Sequence, residues 1–180
     1  MFELYKSPHY GLGTCVEVKI NKVINVISRQ YANTAITVSG DATTKTDQEI
    51  QDFFNNEVYW LTKLRDSKWL PKLIWIDMHN KTIYQEYNGP CLLDIKPILK
   101  EQIPDIVEQI IDMYAFFKEN HMFKCNGSLS NLTIKDNQVK AFDFKWATHR
   151  PDNIEMEVKS YNLWLSKIDS SLAQTLKDML

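Results

Sequence analysis

Apolar residues recur along this chain in two different periods, and the order in which the periods alternate restricts the fold more than any other feature. Val16-Glu-Val18-Lys-Ile20 alternates apolar and charged side chains, as a half-buried strand does. Asn21-Lys22 then predicts a turn, Val23 to Ile27 a second strand extending toward Tyr31, and Ala35 to Val38 a third. Ser39 to Thr46 is polar and contains a glycine, the composition of a loop. The period changes at Thr46-Asp-Gln-Glu49, which matches a capping box. Ile50, Phe53, Phe54, Val58, Leu61 and Leu64 follow at helical spacing over about 47–65. Trp69 to Ile76 reads as a turn and a strand, and Lys81 to Tyr87 as its hairpin partner, with Asn80 near the turn. Short strands with tight connections favour an antiparallel sheet. Asn88-Gly-Pro90 interrupts the pattern and marks a hinge.

Beyond the hinge the helical period dominates. Pro104 suits a first helical turn, and Ile106, Val107, Ile110, Ile111, Tyr114 and Phe117 form a stripe to about Lys118. The helix ends near Asn120-His121, and Met122-Phe123 reads as core. Lys124-Cys-Asn126-Gly-Ser-Leu-Ser-Asn131-Leu-Thr-Ile134 reads as a loop and a short strand. Lys135 to Gln138 is a turn, and Val139 to Phe142 a second short strand with Asp143 at its end. Further helices are expected over 153–168 and 171–180. The predicted organisation is α+β in two parts: a β-rich part, 1–88, carrying one helix, and a small helical part, 89–180.

A chain of 180 residues accommodates one domain or two small lobes. The formal charge of −2 supplies no general attraction to nucleic acid or to an anionic membrane. No stretch approaches the roughly 18 consecutive apolar residues of a spanning helix, and Met1 to Pro8 lacks the apolar core of a signal peptide. Cys15, Cys91 and Cys125 are odd in number and widely spaced, which points to reduced thiols and a cytoplasmic setting. His9, His79, His121 and His149 lack metal-ligand spacing, and Ser128 and Ser130 lack a His-Asp arrangement to activate them. Trp60, Trp69, Trp75 and Trp164 are expected in the core.

Two features admit two readings each. Gly11-Leu-Gly13 before Val16 is either a turn preceding a strand or a loop whose amides approach phosphates closely. Glu57 stands inside the apolar stripe of the first helix. A carboxylate there either reaches solvent at the stripe's edge or forms an ion pair across to the sheet.

The order of these motifs resembles the protein-kinase-like fold over about 11–165. Asn126-Gly-Ser-Leu-Ser-Asn131 is similar to the catalytic loop, whose pattern is Asp, four residues, Asn. Phe142-Asp143-Phe144-Lys145 resembles the metal-binding Asp-Phe-Gly turn, and the 12 residues from Asn131 to Asp143 hold the hairpin expected between them. Glu57 is similar to the glutamate of the family's first helix, Gln85-Glu86-Tyr87-Asn88 to the hinge that meets adenine, and 104–118 to the long helix before the catalytic loop.

The resemblance implies a two-lobed fold with a reduced helical C-terminal lobe, in which the segment 124–145 is catalytic-loop-like. It implies ATP and Mg2+ as cofactors, because phosphoryl transfer uses a hard cation bridging phosphate oxygens. Asn131 and Asp143 would ligate the metal, and Gly11, Gly13, Glu86, Tyr87 and Asn88 would meet the nucleotide. Glu57 would hold the cation that grips the phosphates. Arg29 is the first choice for that cation if 26–31 is the third strand of the family; if Ala35–Val38 is, the position falls on Thr37, and Lys45 or Lys145 would substitute from a loop.

The chain also departs from the pattern. Asn126 replaces the catalytic Asp, and an amide is no carboxylate base. Lys124 stands at the usual His, Val16 at the third glycine, and Lys145 at the Gly of the metal turn, where its charge competes with a metal or partly replaces it. About 35 residues follow Asp143, fewer than the usual substrate-binding helices require. Three functions are therefore open: a degenerate, pseudokinase-like module with a binding or regulatory role; an atypical but active phosphotransferase acting on a small molecule or protein; and a non-kinase interaction protein.

Overall fold

β-branched and aromatic residues at alternate positions build the sheet, and a single amphipathic helix covers one of its faces. The computed structural model describes residues 1–5, 16–32, 34–36, 42–95, 100–125, 128–149 and 159. Gly11, Gly13, Cys15, Thr37, Asn126, Trp164 and, residue 159 apart, the helices expected over 153–168 and 171–180 lie outside the described residues. The chain divides into two units, Met1–Asn88 and Gly89–Leu180.

The first unit runs β1 (Glu3–Leu4), β2 (Val16–Asn21), β3 (Val26–Tyr31), β4 (Thr34–Ile36), β5 (Ala42–Thr44), α1 (Asp47–Lys63), β6 (Leu73–Asp77) and β7 (Thr82–Glu86). Five of these strands form one antiparallel sheet in the order β1-β2-β3-β7-β6, and β4 pairs with β5. The register sets Val18, Arg29 and Ile83 side by side, and Ile20, Ile27 and Gln85 in the next row. All six are buried.

Helix α1 begins at the capping box. The Thr46 hydroxyl accepts from the Glu49 amide, and the Glu49 carboxylate accepts from the Thr46 amide. Its buried residues are Ile50, Phe54, Glu57, Trp60 and Leu61. The apolar stripe therefore centres on Trp60 and Phe54, with Phe53 and Val58 only half-buried at its margins. Burying each large side chain on this face contributes about 1.5–3 kcal/mol.

Several expected boundaries shift for local reasons. The second strand starts at Val26, not Val23. The Asn21 Oδ1 accepts from the amides of Val23 and Ile24, and Asn25 takes the left-handed conformation at φ 53°, so residues 22–25 are a turn. Val23 and Ile24 are consequently exposed despite their apolarity. A short strand, β5, lies inside the expected loop 39–46, where Thr43 and Thr44 suit pairing with β4. Trp60 and Trp69 are core, but Trp75 is 60% exposed and stacks on Tyr84 with centroids 5.5 Å apart. A register shift between Leu73 and Trp75 pairs it with Tyr84, out of phase with the buried row that holds Arg29 and Ile83.

The second unit contains a 3-10 turn at Lys100–Gln102, α2 (Ile103–Glu119), a second 3-10 turn at Leu129–Asn131, β8 (Leu132–Lys135) and β9 (Gln138–Ala141). Ile106, Val107, Ile110, Met113, Tyr114 and Phe117 form the buried stripe of α2. His121 ends the helix in the left-handed conformation, with the Met122 amide donating back to the Phe117 carbonyl. Strands β8 and β9 pair as a hairpin, and Cys91 bridges to Thr133 beside it. Gly89 has φ +81°, and a Cβ there would lie 2.1 Å from the Ile134 carbonyl oxygen, so no other residue fits. Among the described residues no helix is long and apolar enough to cross a membrane.

Candidate functional site

In the first unit the site is a charged cluster inside an apolar layer. Arg29 projects from β3 and Glu57 from α1, and the two pair at 2.5 Å with side chains 4% and 0% exposed. The Arg29 Nη2 also donates to the Gln85 Oε1 at 2.6 Å. The Tyr31 hydroxyl donates to the second oxygen of Glu57. Each Glu57 oxygen thus has a donor, which is what permits a carboxylate in this layer. The ring of Tyr31 packs edge-on against Phe54, fixing the hydroxyl's direction.

Of the two readings of Glu57, the structure has the buried pair with the sheet, and its partner is Arg29. Lys45 pairs instead with Glu49, near the surface. Tyr31 and Gln85 were not singled out as members of this cluster. Both occupy the inward phase of their strands, Tyr31 two residues from Arg29 and Gln85 two from Ile83, so period two was a usable signal for them.

Glu86, Tyr87 and Asn88 end the same unit. The Glu86 amide donates to the Lys72 carbonyl at 2.9 Å, and the Tyr87 amide to the Asn25 carbonyl at 2.9 Å. Both amides are therefore engaged in holding the chain, and the Tyr87 ring meets Tyr5 edge-on. Asn88 is buried.

In the second unit the site centres on Asp143. It lies just past β9, in the left-handed conformation at φ 62°. For a non-glycine residue that conformation has a cost, and such positions concentrate at functional sites. The Phe142 amide donates to the Asn131 carbonyl at 3.1 Å, which brings the end of the 3-10 turn beside Asp143. Asn131 and Asp143 are both buried. The Lys145 ammonium bonds both carboxylate oxygens of Asp143, at 2.9 and 3.0 Å, and is itself buried. A second ammonium, that of the fully buried Lys124, donates to the Asp143 carbonyl at 3.2 Å and lies over the Phe144 ring.

This arrangement does not fit a divalent ion. Mg2+ and Ca2+ need several oxygen ligands around an uncommitted carboxylate. Here the carboxylate already faces a full positive charge, and Asn131 offers only a neutral amide. Among the described residues no group of three or more His, Cys, Asp and Glu is placed to hold a metal.

Two of the three cysteines, Cys91 and Cys125, are among the described residues. Cys91 is buried, and burial, reinforced by the neighbouring Asp94, pushes its thiol up to about 12, so it stays protonated and unreactive. Cys125 is exposed, with its Sγ 3.6 Å from the Phe123 carbonyl and 3.6 Å from the Thr148 hydroxyl.

No protein-family model matches this chain, and a search of curated proteins finds no significant relative.

Proposed function

We propose that this chain is a degenerate kinase-fold protein, pseudokinase-like, that serves as a binding or regulatory module and does not transfer phosphate. The observation that carries the reading is the state of Asp143. The carboxylate that would hold the metal in an active phosphotransferase is held at both oxygens by Lys145. Asn126, at the position of the catalytic base, is an amide and accepts no proton at neutral pH. The buried Arg29–Glu57 pair supports the kinase-like part of the reading, since the resemblance asks for a cation on the sheet facing the glutamate of the first helix, a lysine in the family and an arginine here. Because Glu57 and Gln85 both draw on Arg29, the guanidinium serves here as a tie between sheet and helix.

The test is a phosphotransfer assay with labelled ATP, paired with a thermal titration of the same protein with ATP, with and without Mg2+. The expected outcome is no transfer above background and a midpoint that does not depend on Mg2+. Mg2+-dependent transfer abolished by Asp143→Ala would overturn the proposal in favour of the active enzyme.

A further inference from the structure

We infer that Lys145 is the resident cation of the Asp143 site: its ammonium takes the place of a divalent metal and excludes one. The inference rests on reading 124–145 as a catalytic loop followed by a metal turn, and goes on to assign the cause of the lost metal to one side chain. The Nζ of Lys145 lies 2.9 and 3.0 Å from the two oxygens of Asp143, so it is centred on the carboxylate as a bidentate cation would be. An ion bound at the usual ~2.0–2.6 Å from those oxygens on that side would meet this ammonium at close range. Both side chains are buried, 5% and 9% exposed, so the repulsion is poorly screened and the ammonium cannot retreat into water without loss.

Local backbone geometry brings the two groups together. Asp143 takes the left-handed conformation at φ 62°, and the side chain two residues on meets its carboxylate. The Phe144 ring, fully buried and edge-on to Phe117 of α2, anchors the residue between them. Lys124 adds a second positive group on the carbonyl side of the same residue. The oxygen groups, Asp143 and Asn131, remain in place. Replacing Lys145 by a neutral residue therefore removes the ammonium that holds both oxygens of this buried carboxylate.

The probe is Mn2+ alone, without nucleotide, read by paramagnetic broadening of assigned backbone amides and by thermal midpoint. In the wild-type protein, amides of 131 and 141–145 are expected to be insensitive to millimolar Mn2+. In Lys145→Ala those amides broaden selectively, and Mn2+ binds about tenfold or more tightly than to the wild type, with a raised midpoint. The double variant Lys145→Ala with Asp143→Asn, which removes both charges of the pair together, folds without Mn2+ and shows neither effect. If Lys145→Ala does not fold alone, Mn2+ is expected to restore its structure, and Lys145→Gln, which keeps a hydrogen bond to Asp143, gives the broadening measurement. Broadening at 131 and 143 in the wild type would overturn the inference, as would a folded Ala or Gln variant without it. No arm uses ATP, so these results stand apart from the phosphotransfer test. A chain that never binds nucleotide can pass here, and one that transfers phosphate can fail.

Discussion

Glu57 shows how much a single buried charge depends on its partners. Its oxygens are met by Arg29 and Tyr31, and Gln85 shares the guanidinium. Removing one partner leaves the others buried and uncompensated, so Glu57→Ala is expected to destabilise the first unit by about 3–5 kcal/mol in urea unfolding. Tyr31→Phe, which removes a single donor, is expected to cost about 1–3 kcal/mol. A cost for Tyr31→Phe larger than that for Glu57→Ala would mean that the pair is not the centre of the cluster. Gly89→Ala is expected to cost about 2 kcal/mol or more, because both a positive φ and the Ile134 carbonyl oppose a Cβ. The thiols give a chemical readout. In a Cys15→Ser background, an aromatic disulfide reagent should modify Cys125 in the native protein and reach Cys91 only on unfolding.

At the scale of elements, stability is concentrated where one side chain satisfies several backbone groups. Gln109 of α2 donates to the Asn137 carbonyl at the hairpin turn, while its Oε1 accepts from the Val139 amide and from Gln138. One amide thus ties the helix to the turn and to β9 of the hairpin. Gln109→Ala is expected to cost about 1–3 kcal/mol, with hydrogen exchange accelerated across 132–141 and little changed in β2 and β3. The capping box was readable from four residues, because its reciprocal bonds are local and need no tertiary partner. The limits of β3 were not readable from alternation alone. Asn21 and Asn25 form a turn that overrides the β propensity of Val23 and Ile24, and alternation cannot weigh a side-chain-to-backbone bond against it.

For the molecule as a whole, charge and pH act differently on the two units. In the first, the amide of Thr46 holds the Glu49 carboxyl below its ordinary 4.5, and the amide of Asn80 holds Asp77 below its ordinary 3.8. A depressed carboxyl stabilises the folded state above its unfolded value, and that contribution disappears as pH falls through the folded value. Glu49→Gln with Asp77→Asn is therefore expected to flatten the acid limb of urea midpoints below about pH 4.5 while leaving the neutral-to-alkaline limb alone. In the second unit Cys91 is raised from 9.0 to about 12, so its contribution is complete below 9 and is lost as pH rises toward 12. Cys91→Ala should weaken the alkaline fall, though it also removes buried volume. The sequence by itself determined the alternation of strand and helix periods, the cap of α1, the break at Asn88-Gly-Pro90 and the anomaly of a glutamate in an apolar stripe. Each of these is set by bonds or spacings within a few residues. Only the tertiary structure decided that Arg29 answers Glu57, that Tyr31 and Gln85 complete the cluster, and that Trp75 faces outward. Those outcomes depend on strand register, on residues as far apart as 29 and 85 meeting across a sheet. The pairing of Lys145 with Asp143 lies between the two cases. Adjacency made it conceivable, but the left-handed turn at Asp143 and the burial of both side chains made it a bond.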